Sequence, residues 1–150
     1  MDIFEFDSEL LFAILNGKVS LAVNRKLYRN FKKDGLEFTP EQWTVLANLW
    51  FREGVTQQEL CNATYKDKPS MTRLIDNLEK QDLVKRKADK TDRRTNLIFL
   101  TKKGWSLQEK ANQTVLLTMQ EALQGINSND IIVAKKVLKL IFENIKESMK

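Results

Sequence analysis

The chain of 150 residues has no histidine and one cysteine. Without histidine there is no Ser-His-Asp or Cys-His nucleophile machinery, no imidazole metal ligand and no histidine pH switch. A single cysteine makes neither a cysteine-rich zinc or iron–sulfur site nor an intramolecular disulfide, so nothing asks for an oxidising compartment. Proline and glycine are scarce, at 2 and 5 residues, and no Pro/Gly/Ser-rich linker or internal repeat divides the chain. Long apolar runs are also missing: Leu10–Leu15 is too short to span a bilayer. The start, Met1-Asp2-Ile3-Phe4-Glu5-Phe6-Asp7, is acidic where a secretory signal is basic. The expectation is one cytoplasmic domain with no membrane span, no cofactor and no metal. Composition leaves carboxylate chemistry and a Ser-Lys dyad open. No paired acids stand at a recognisable site spacing, however, and a non-enzyme is expected.

What is present is unevenly placed charge. The net charge is +5. The segment Thr64 to Gly104 holds 12 of the 25 Lys and Arg and 6 of the 20 Asp and Glu, which makes it +6. The other 109 residues sum to −1. A basic block confined to one folded segment is the electrostatic footprint of a nucleic-acid-binding face. The plainer reading is a basic surface that serves solubility.

Helical signals dominate the chain. Ser8 to about Lys33 reads as a long helix rich in apolar residues, ended by Asp34-Gly35. Thr39-Pro40-Glu41-Gln42 combines a cap, a first-turn proline and a capping box. The helix it opens carries Trp43, Leu46, Ala47 and Trp50 as one stripe. Gly54 stops it. Thr56-Gln57-Gln58-Glu59 is a second capping box and starts a short helix with Leu60 and Cys61 inward.

A polar turn leads to a helix over Lys68 to Gln81, with Met71, Leu74, Ile75 and Leu78 on its apolar side. Pro69, Thr72, Arg73, Asp76, Asn77 and Lys80 lie opposite, with Ser70 on the flank. Two short helices joined by a tight turn, the second polar and basic outside, make a helix-turn-helix. The period then changes. Leu83–Ala88 and Thr95–Leu100 read as strands of a hairpin whose tip is Asp89-Lys90-Thr91-Asp92-Arg93-Arg94. A hairpin directly after a helix-turn-helix is a wing.

Thr101 caps a helix predicted to run to about Leu123 and stop at Gly125. Asn127 starts the last helix, which carries Ile131, Ile132, Val133, Val137, Leu138, Leu140, Ile141, Ile145 and Met149 on more than one face. The first helix has a similar surplus around Leu10–Leu15. A second copy of the chain would cover both sets, so a homodimer is expected, with an intramolecular bundle as the alternative. Trp43, Trp50, Phe12, Phe31 and Phe38 read as core aromatics, or as the lining of an effector pocket. Cys61 reads as a small buried hydrophobe, or as a redox sensor.

Thr56 to Gly104 resembles the winged helix-turn-helix core of the MarR family of bacterial transcription regulators. Ser70-Met71-Thr72-Arg73-Leu74-Ile75-Asp76-Asn77-Leu78-Glu79-Lys80 is similar to the family's recognition-helix pattern (vTRlidrLek). Leu83-Val84-Lys85-Arg86, Asp92-Arg93-Arg94 and Leu100-Thr101-Lys102-Lys103-Gly104 follow in family order, the last resembling the LTekG run that closes the wing. Two departures stand out. Asp82 sits where the family usually has glycine, at a turn suited to a left-handed residue. Lys68-Pro69 is not the commonest opening of the recognition helix, and Pro69 bears on which bases are preferred.

The resemblance implies a mainly α (α+β) fold. A winged helix-turn-helix lobe over about 39–104 would be flanked by dimerisation helices over about 1–35 and 105–150, in a single domain spanning 1–150. It also implies a dimeric repressor that sets two recognition helices in successive major grooves of a near-palindromic operator, with wings reaching the minor grooves. A small-molecule effector releasing the DNA is a further family trait. Base contacts are expected from Pro69, Ser70, Thr72 and Arg73, with Asn77 further along. Arg73 suits guanine and Asn77 adenine. The plainer role for Arg73 is a phosphate contact or a local ion pair. Lys66 and Lys68 are expected at phosphate, or on a solvated surface. At the wing, Arg94 and then Arg93 are the minor-groove candidates, with Lys90 nearby. Asp92 is expected to hold the Arg94 guanidinium, while Asp89 and Asp92 also suit a turn. The alternative function is a winged-helix module that docks on protein without reading DNA, motivated by the mixed-sign wing.

Overall fold

The computed structural model describes residues 8–150, so the acidic start Met1–Asp7 lies outside the described residues. The chain forms two compact units, Met1–Leu116 and Leu117–Lys150.

In the first unit, α1 (Ser8–Lys33) leads into α2 (Pro40–Phe51), β1 (Val55–Thr56), α3 (Gln57–Thr64) and α4 (Lys68–Lys80). There follow β2 (Val84–Ala88), β3 (Asn96–Leu100), α5 (Lys102–Ser106) and most of α6 (Gln108–Ala122). The two capping boxes form as the sequence predicts. Thr39 Oγ1 accepts from the Gln42 amide at 3.1 Å while Gln42 Oε1 accepts from the Thr39 amide at 2.9 Å. Thr56 and Glu59 exchange the same pair of bonds at 3.1 and 2.7 Å. Each box satisfies two amides that a helix start leaves open.

The sheet is antiparallel in the order β1-β3-β2. Ile98 lies between Val55 and Arg86, and Leu100 opposite Val84. The buried core joins Phe31 and Phe38, which meet edge to face at 5.0 Å, to Leu46, Leu49, Leu60, Met71, Ile75, Leu78, Leu83 and Ile98. The four apolar residues predicted for α4 are all buried. On α2 the buried face is wider than the predicted stripe. Val45 and Leu49 are buried too, because α2 packs against α1, α3, α4 and β3.

Two expectations need correction, and one short strand adds to them. Val55–Thr56 is a strand, paired with Leu97 and Ile98 across the sheet; two residues are too few to show a period. The helix after Thr101 is two helices, broken at Leu107. The Gly104 carbonyl accepts from Trp50 Nε1 at 3.0 Å, so α5 is tied to α2. Finally, Phe12 is about half exposed rather than in the core.

The second unit holds the end of α6, a turn with Gly125 at φ +80°, and α7 (Ser128–Ser148) capped by Asn127. No α7 residue is buried, and Ile132, Val133, Leu138 and Ile145 are more than half exposed. No helix of the described residues is long and apolar enough to cross a membrane.

Candidate nucleic-acid interface

α3 ends at Tyr65, whose left-handed φ of +57° turns the chain sharply. Asp67 then caps α4, accepting the Ser70 amide at 2.8 Å. Bonds from the Ser70 amide and side chain hold the Asp67 carboxyl below the usual carboxylate range, with smaller help from Arg73 and Lys66. Pro69 stands in the first turn, where its missing N–H costs nothing.

Pro69, Arg73 and Asn77, spaced by four, share one exposed face of α4. The Arg73 and Asn77 side chains make no hydrogen bond or ion pair among the described residues. Ser70 and Thr72 differ. Both are half-buried, Ser70 is bonded to Asp67, and the Thr72 hydroxyl donates to the Lys68 carbonyl at 2.9 Å. Thr72 Oγ1 also accepts from Gln57 Nε2 at 2.6 Å. Among the base-reading candidates, Arg73 and Asn77 thus hold the free donors. Gln57 went unmarked in the sequence. It is polar at a helix start like many others, and only the turn between α3 and α4 brings it to Thr72.

The cations divide in the same way. Lys68 is exposed. Lys66 is only about a quarter exposed and lies 3.6 Å from Glu41, so it reads as an internal ion pair rather than a free phosphate ligand. Arg86 on β2 pairs with Asp76 and Glu79 of α4 at 2.6 and 2.8 Å. It joins wing to recognition helix and is shared between two of the segment's carboxylates.

At the wing tip, Lys90, Arg93 and Arg94 are exposed. Contrary to the expectation above, the Asp92 carboxylate does not take the Arg94 guanidinium. One oxygen accepts the Arg94 amide at 3.0 Å and the other the Thr95 hydroxyl at 3.1 Å. Asp89 likewise accepts from the Thr91 amide and hydroxyl. Both acids are turn formers.

Two further residues set where the wing begins and ends. Asp82, between α4 and β2, is left-handed at φ +58°, as its position suggested. Gly104 closes the wing because a Cβ there would run into the Leu83 carbonyl oxygen. Cys61 is buried, and burial pushes its thiol pKa up, against thiolate chemistry.

These elements define a winged helix-turn-helix. A family model described as the MarR family matches residues 35–95. The transcriptional regulator PA3341 is 31% identical, with 91% of this chain and 98% of that one covered at a TM-score of 0.77. The transcriptional regulator SlyA superposes at a TM-score of 0.83, with 23% identity over 91% of this chain and 95% of that one. The transcriptional repressor CouR, solved bound to a 23-mer DNA duplex, is 25% identical over 93% of this chain and 94% of its own, at a TM-score of 0.74. The chain belongs to the MarR family.

Proposed function

We propose that this chain is a sequence-specific DNA-binding regulator, acting as a homodimeric repressor on a near-palindromic operator. The observation that carries the reading is the exposed face of α4, where the Arg73 and Asn77 side chains make no hydrogen bond or ion pair among the described residues. α4 would lie in the major groove, with Arg73 giving two bonds to guanine O6 and N7 and Asn77 pairing with adenine. Pro69 would sit closest to the bases at the helix start. Lys68 would meet phosphate. Arg94, Arg93 and Lys90 would reach the minor groove, where narrow A·T-rich tracts concentrate negative potential. The repressor CouR, solved bound to a DNA duplex, supports DNA as the partner.

The exposed apolar residues of α1, such as Leu10 and Leu21, and of α7, such as Ile132 and Leu138, support pairing of two copies. A two-fold dimer reads half-sites about one helical turn apart. Release by a small-molecule effector completes the proposal. The wing carboxylates that motivated a protein-docking role are used in turn bonds. They therefore favour no separate acidic partner surface.

Selection from a random DNA pool tests the reading. Recovery of a palindromic consensus supports it, and enrichment of no sequence over the input pool overturns it.

A further inference from the structure

The Thr72 hydroxyl has one proton and two lone pairs. The proton goes to the Lys68 carbonyl at 2.9 Å, the back-bond that threonine commonly makes within a helix. One lone pair takes Gln57 Nε2 at 2.6 Å. The same Nε2 also lies 3.4 Å from the Lys68 carbonyl, an acceptor, which favours the amide nitrogen on this side. The three groups form a closed set at the start of the recognition helix, with no hydroxyl proton left to donate. Guanine O6 and N7, adenine N7 and thymine O4 all need a donor. What Thr72 keeps is one lone pair, which suits only a base amino group, and its methyl group, whose match in the major groove is the thymine C5-methyl.

We propose that Gln57 is a specificity-setting residue. By bonding the Thr72 oxygen while the Lys68 carbonyl takes its proton, it fixes the side chain so that Thr72 reads thymine through methyl contact rather than donating a hydrogen bond to a base. The inference rests on the DNA-reading function proposed above. It goes beyond it in assigning a thymine to a particular residue and in giving Gln57, on the other helix, the task of setting that choice.

The experiment uses the full chain and the consensus duplex recovered from the random pool. Each thymine position is replaced in turn by deoxyuridine, which removes only the C5-methyl. At one position the wild type should lose about fourfold in affinity, the value of one buried methyl-sized group. Thr72→Val keeps the methyl and drops the hydroxyl; it should bind within about threefold of wild type and keep that sensitivity. Thr72→Ser keeps the hydroxyl and drops the methyl; it should bind about fourfold more weakly and no longer distinguish thymine from deoxyuridine there. Gln57→Ala removes the bond to the Thr72 oxygen, leaves the side chain held by the Lys68 carbonyl alone, and should blunt the same preference; an undiminished preference would overturn the role of Gln57. Thermal unfolding midpoints close to that of the wild type confirm that each variant is folded.

A wild type indifferent to every deoxyuridine, or a Thr72→Val that fails while Thr72→Ser binds normally, overturns the inference and leaves DNA binding standing. A chain that selects no sequence overturns both.

Discussion

Asp92 holds Arg94 by its main chain: the carboxylate accepts the Arg94 amide at 3.0 Å, and no ion pair joins the two side chains among the described residues. The Arg94 guanidinium is left free to meet DNA, while the acid beside it fixes the turn. Asp92→Asn keeps an acceptor oxygen and should bind DNA within about twofold of wild type. Arg94→Ala should weaken binding about tenfold, as for loss of one charge-assisted contact. It should also lower the slope of log affinity against log salt by about 1. Fluorescence anisotropy across a salt series reads both. Equal losses for the two variants would contradict the division of labour.

The ion pairs of Arg86 with Asp76 and Glu79 fasten β2 to α4, but both acids are about half exposed. Their worth is therefore small despite good geometry. Arg86→Met should cost about 1 kcal/mol at low salt and less at 1 M salt, where screening shortens to roughly 3 Å. Urea unfolding at both ionic strengths checks this. A loss independent of salt would assign the role of Arg86 to packing of its stem.

Asp82 and Gly104 make opposite predictions about one turn. Asp82 is left-handed, so Asp82→Gly should stabilise by about 0.5–1 kcal/mol. Gly104 has no room for a Cβ beside the Leu83 carbonyl, so Gly104→Ala should cost about 3 kcal/mol or more. Thermal unfolding of the two variants reads both signs.

The sequence carries what depends on near neighbours. Thr39 with Gln42, Thr56 with Glu59, and the strained turn at Asp82 all involve residues within a few positions, and each is legible in one dimension. Distant partners decided the rest. Val55–Thr56 becomes a strand only because β3 returns beside it. The helix after Thr101 breaks where the Trp50 indole takes the Gly104 carbonyl. Lys66 turns to Glu41, and Thr72 to Gln57, across helix boundaries. The basic block was legible as a sum. Which of its cations are free was not, because that depends on where the carboxylates fold.

Asp67 ties helix geometry to pH. Its carboxyl is held below the usual range by the Ser70 bonds, so the folded state favours its ionised form. The stabilisation it gives is complete above the ordinary carboxylate pKa and is lost as pH falls through the depressed value. Hydrogen exchange at the Ser70 amide, corrected for intrinsic rate, should quicken on acidification. In Asp67→Asn that pH dependence should vanish, which NMR exchange measurements can follow. Retained pH dependence in the variant would shift the effect to another group.

The central claim is that α4 reads base sequence through Arg73. Its most direct test is the affinity of wild type and Arg73→Ala for the selected duplex and for a scrambled one, at one salt concentration. Wild type should prefer the selected duplex by about a thousandfold or more. Arg73→Ala should lose about 1–3 kcal/mol of that preference while binding scrambled DNA nearly as wild type does. Equal affinity of the wild type for both duplexes, or a uniform loss on both from Arg73→Ala, would contradict the claim.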